Sequence, residues 1–242
     1  NASRSLSKFG KNMQRTGKNL SMGLTAPLAG LAALSVKAFD TQAKAVAQVE
    51  AGLRSTGNAV GYTSEQLQKM ASALQSNSLF GDEEILQGAT AQLLTFTNIA
   101  GEQFAKTQKI ALDLATRLDG DLKSSSIMLG KALNDPVANL SALSRAGIQF
   151  SEDQKAMVRT MVETNRLADA QDLILEELEK QYGGSAKAAA EAGAGGLKQM
   201  HMAIGDLMEG FGEVITDALN PFAKTVKAVA ERLQSLSAST RL

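Results

Sequence analysis

The chain has 242 residues, enough for one large domain or a smaller one with appendages, and its 25 basic and 25 acidic residues cancel, so no overall field draws nucleic acid. Aromatic residues are only 4%, and Trp and Cys are absent, which excludes disulfide staples, thiolate-held zinc and thiol catalysis. Helix formers abound while β-branched runs and alternating patterns are nearly missing, so the expected fold class is all-α, with essentially no sheet.

The first residues carry one sign of charge. Arg4, Lys8, Lys11, Arg15, Lys18 and Lys37 all precede the first acid, Asp40. Without interleaved aromatics for base stacking, this arm reads as a solvated helix face rather than a nucleic-acid clamp. The leading Asn-Ala resembles the scar of a removed tag, and the chain reads as a piece of a longer protein.

Asn19 to Val36, "NLSMGLTAPLAGLAALSV", contains no charged side chain and is about as long as a minimal membrane span. Its composition argues otherwise. Leu20, Leu24, Leu28, Leu31 and Leu34 must offset Asn19, three hydroxyl residues, two glycines and Pro27, so the insertion energy is near neutral. The leucines recur at helical spacing with Ala, Gly and Ser opposite, the pattern of a helix that packs on other helices. A conditional, transient membrane contact stays open.

A long helix is expected from Pro27 to about Arg54, broken by "STGNAVGYTS". Thr63 and Gln66 form a capping-box pattern for a helix to about Gln75. After "SNSLFGDEE", Asp82, Glu83 and Glu84 suit the positive end of a helix dipole, with the helix continuing through "ILQGATAQLLTF". Glu102–Leu118 follows, then Asp121 to about Leu133, stopped by Pro136. "VANLSALSRAG" is a short helix ending at Gly147, and Ser151 with Gln154 caps the next, to about Asn165. "RLADAQDLILEELEKQY" is a helix stopped by Gly183 and Gly184, and "SAKAAAEAGAGG" a weak helix or hinge.

In the last segment Leu197, Met200, Ile204, Leu207, Phe211, Val214 and Ala218 step by 3 and 4 alternately, a heptad-like seam that Pro221 is expected to interrupt and Phe222 to Leu236 to resume. Gly205, Gly210 and Gly212 each count about 1 kcal/mol against that helix. Three regions follow: a basic and apolar helical arm (1–54), a compact multi-helix domain (55–183) and a helical, heptad-like tail (184–242). Candidate self-association residues are Leu20, Leu24, Leu28 and Leu31 in the arm, and Leu197, Met200, Ile204, Leu207, Phe211 and Val214 in the tail.

No catalytic set emerges. His201 has no second imidazole or thiol with which to share a metal, and its neighbours Met200 and Met202 suggest a packing or surface residue. Asp82–Glu84 and Glu176, Glu177 and Glu179 read as helix-end and solvated-face acids, without the aromatic platform of a sugar site. "YGGSA" and "GAGG" lack the strand and lysine of a phosphate loop. No catalytic residue, metal ligand or cofactor is assigned.

Gly130 to Val158, "GKALNDPVANLSALSRAGIQFSEDQKAMV", packs a proline stop, a glycine end cap and a new capping box into few residues. This stretch, with "LADAQDLILEELEKQYGGSAKAAA" downstream and "LTAPLAGLAALSVKAFDTQ" upstream, closely resembles the core of tail tape measure proteins of long-tailed phages and prophages, over roughly Leu6 to Leu219. The resemblance implies a structural role without catalysis: occupying the tail tube lumen, templating the tube to a set length, and leaving ahead of the DNA. It implies self-association in the lumen, contacts with tube protein, tail assembly chaperones and baseplate or tip proteins, and no sequence-specific nucleic-acid binding. It places the protein in the virion tail, and in the bacterial cytoplasm during assembly. A membrane-active helical protein assisting genome delivery is the alternative, and a cell-wall hydrolase, of which no motif appears, the third.

Overall fold

The computed structural model describes residues 26–239 apart from 146, with side chains described for 30–218 and 220. Among the described residues the regular elements are all helices, without a strand. Contacts divide the chain into two units, one spanning Gln42–Ala203 and the other joining Asn1–Thr41 to Ile204–Leu242.

The elements are α1 (Ala26–Ser55), α2 (Ser64–Gln75), α3 (Asp82–Ile85), a π-turn (Leu86–Thr90), α4 (Ala91–Leu93), α5 (Gly101–Arg117), α6 (Leu122–Asn134), α7 (Pro136–Arg145), α8 (Glu152–Glu163), α9 (Leu167–Tyr182), α10 (Ser185–Glu191) and α11 (Gly195–Ser239). The end signals work as their chemistry requires. Thr63 and Gln66 satisfy each other's backbone N–H groups at the start of α2, as do Ser151 and Gln154 at α8. Asp121 Oδ1 accepts from the Ser124 N–H and caps α6. Gly147 closes the α7 region at φ +93°, a backbone conformation suited to glycine.

Within 42–203, α5 is the central element. Phe104, Thr107, Gln108 and every residue from Ile110 to Ala115 are buried, so the helix is covered on more than one face. α6, α9 and α10 pack on it, and Leu67, Ile85, Leu93, Leu129, Leu143, Ile148 and Leu178 complete the core. Gly130 on α6 lets the Phe96 ring lie against its backbone, where an added Cβ would sit 2.2 Å from the ring.

One expectation needs correction here. The helix opened by Asp82 does not continue regularly: it widens into the π-turn, which brings Leu86, Ala89 and Thr90 inward. There the buried Thr90 hydroxyl donates to Gln108 Oε1, giving a core hydroxyl the partner it requires. "SAKAAAE" is a formed helix, α10, seated on α5 through the small side chains of Ala186 and Ala190.

The second unit, in its described residues, is a crossing of the first part of α1 with α11. Gly212 is the contact point: a Cβ there would lie 2.0 Å from the Ser35 carbonyl oxygen. Ser35 is buried and its hydroxyl donates to Met208 Sδ at 3.3 Å. Gly205, Met208, Gly212 and Ile215, stepping by 3, 4 and 3, are buried or half-buried on one side of α11. The side of α1 that meets this partner carries Ser35 and the half-buried Phe39, while Leu31 and Leu34 are exposed. α11 also runs unbroken through Pro221, contrary to the expected interruption. The proline removes one backbone N–H donor without ending the helix.

Candidate self-association surface

α11 presents two apolar stripes. One is the half-buried side already described. The other is the heptad-like seam, and every seam residue from Leu197 to Val214 is 44–68% exposed: Leu197, Met200, Ile204, Leu207, Phe211 and Val214. The two stripes lie about 100° apart around the helix, and so broad an apolar face is ordinarily covered over its whole width. In the arm, Leu31 and Leu34 are 45% and 60% exposed. Leu20 and Leu24 lie outside the described residues, and Leu28 is described in its backbone alone, within α1. Among the described residues no helix is long and apolar enough to cross a membrane, and Asn19–Val36 lies partly outside them.

The carboxylates singled out in the sequence are mostly tied into the fold. Asp82 is buried; Gln42 Nε2 and Ser72 Oγ donate to its Oδ2, and its own N–H donates to Gln75 Oε1. Glu177 accepts from Gln154 and Gln181, and those bonds, Gln181's foremost, hold its carboxyl below the usual range. Glu179 pairs with Lys109 at 2.6 Å. His201 is exposed.

Asp113 escapes the sequence reading altogether. It sits in the apolar run of α5, buried, and its Oδ1 accepts from the Ala186 N–H at 2.8 Å, capping the start of α10. Burial pushes its carboxyl up, a neighbouring Glu179 adds to this, and the Ala186 and Gly184 backbone and Lys109 oppose it. The only signal in the sequence was an acid among apolar residues at helical spacing, which does not reveal that both sides of the helix are covered.

A helical fold with outward apolar stripes fits a packing component. The family described as prophage tail length tape measure protein matches residues 3–146, more than half of the chain. The chain belongs to that family. It is a phage tail component, and the family is one of structural tail proteins rather than of enzymes. The match covers α1 through α7 and ends before the seam of α11. No curated protein and no solved structure matches the chain.

Proposed function

We propose that this chain is a folded module of a tail tape measure protein that sets tube length during assembly and leaves the tube ahead of the DNA, with copies associating through the exposed seam of α11. The observation that carries the reading is the contrast in shape. α11 is 45 residues long, about 67 Å at the α-helical rise, whereas residues 56–194 are folded into short, turning helices. The first kind of segment measures length and the second does not. The outward seam gives copies in one lumen a surface to share. Tube protein, chaperones and baseplate or tip proteins are the further partners this role calls for.

Electron microscopy of tails grown with in-frame deletions in the full-length protein tests the ruler. Removing turns from α11 should shorten tails by about 1.5 Å per residue. Deletions between α2 and α9 should stop tail formation or change length out of proportion. Equal proportional shortening at both places would overturn the module reading. Leu207→Lys with Phe211→Lys should lower the association state of this chain in light scattering while its helix content holds; an unchanged state would remove the seam from the proposal.

A further inference from the structure

α7 and α8 pack on each other, and residues of both line a cleft of ≈ 230 Å³. Its floor is apolar: Pro136, Leu140 and Val158 are buried there, while Val137 at its edge is 51% exposed. Its rim carries Lys155 and Arg159 and no acid. Lys155 is engaged by Glu152 at 2.8 Å, whereas Arg159 makes no ion pair among the described residues and acts on Glu152 only through space. Two other grooves differ. The one between α5 and α9 is crossed by the Lys106–Asp172 and Lys109–Glu179 pairs, and the one beside Asp113 contains both signs of charge.

We infer that the α7–α8 cleft is a docking site for a partner protein's helical segment bearing one large apolar side chain flanked by carboxylates. The cleft is smaller than the usual small-molecule pocket and suits a single leucine-sized anchor. The guanidinium of Arg159, planar and weakly hydrated, offers a carboxylate two parallel donors beside that anchor. One guanidinium without an ion pair among the described residues is too little for a polyanion: duplex DNA takes several phosphate contacts, and anionic lipid takes basic clusters. This site is separate from the seam of α11 and does not depend on the length-setting role.

The test is a titration of the whole chain, methyl-labelled, with a helix-forming peptide carrying leucines on one face and flanking glutamates. A matched peptide with lysines in place of the glutamates and vesicles containing phosphatidylglycerol serve as the other arms. The glutamate peptide should move the methyl signals of Val137, Leu140 and Val158, and the lysine peptide should bind at least about tenfold more weakly. Arg159→Glu should invert that preference and Val137→Asp should abolish binding, both at exposed positions where far-UV circular dichroism should stay unchanged. Equal affinity for the two peptides overturns the inference. So does a response to vesicles alone, a response on simple concentration of the chain, or peptide shifts confined to the α11 seam.

Discussion

The two units use the same side chains to opposite ends. Within 42–203 the large apolar residues turn inward around α5, and Phe104, Leu112 and Leu114 have almost no exposed surface. In the paired helices, α11 keeps glycine, methionine and isoleucine toward α1 and turns Leu207, Phe211 and Val214 outward. Stability in the first comes from burial within the chain. The second leaves apolar side chains exposed. Helical spacing alone looks alike in both, so the difference lies in what the neighbouring elements supply.

The strongest way to break the comparison is at the centre of the first unit. Phe104→Ala removes a fully buried ring from α5, and the expected loss is about 3–5 kcal/mol in denaturant unfolding, through lost burial and the cavity left behind. A loss under about 1 kcal/mol would mean that this unit is loosely packed, and that the contrast with the paired helices is one of degree.

The second test separates glycines that look equivalent. Gly212 meets the Ser35 backbone, which cannot move aside as a side-chain tip can, so Gly212→Ala should destabilise the crossing by about 1–3 kcal/mol. A Cβ at Gly210 would meet nothing, and Gly210→Ala should instead stabilise by about 1 kcal/mol through helix propensity. Thermal unfolding followed by far-UV circular dichroism reads both. The same sign for both substitutions would contradict the close approach at Ser35.

Such pairs show what a sequence discloses. The helical class, most helix ends and both capping boxes follow from local chemistry, because Thr63–Gln66 and Ser151–Gln154 satisfy backbone groups within their own turn. What local chemistry does not contain is which side of a helix receives a neighbour. Ser35 of α1 is buried against α11 because Gly212 allows a close backbone approach, a contact that the spacing of apolar residues does not disclose. The π-turn depends on Gln108, distant in sequence, and the burial of Asp82 and Asp113 depends on elements folded over them. The α7–α8 cleft was hidden for the same reason: Val137 and Arg159 become neighbours only when the two helices fold back.

The smallest effect expected concerns the polar exception inside the apolar unit. Asp113 has one carboxylate oxygen on the Ala186 N–H, while Oδ2 is buried without a hydrogen-bond partner. Because burial raises its pKa, the folded chain holds the proton more tightly than the unfolded chain does. The stability this group contributes is complete below the ordinary carboxylate range, and is lost as pH rises through the elevated folded value. Lys109 from α5, Glu179 from α9 and Lys187 from α10 also face the groove and are present in both chains, so the comparison isolates Asp113. Asp113→Asn keeps an acceptor for Ala186 and removes the charge. It should match the parent chain in acid and exceed it by about 1 kcal/mol near neutral pH, in urea unfolding across that range. Asp113→Ala, without the cap, should lose about 1 kcal/mol even in acid. If the asparagine variant were instead the weaker one near neutral pH, the ionised carboxylate would be holding the N-terminus of α10 by charge. The first unit would then rest on an electrostatic clasp as well as on burial.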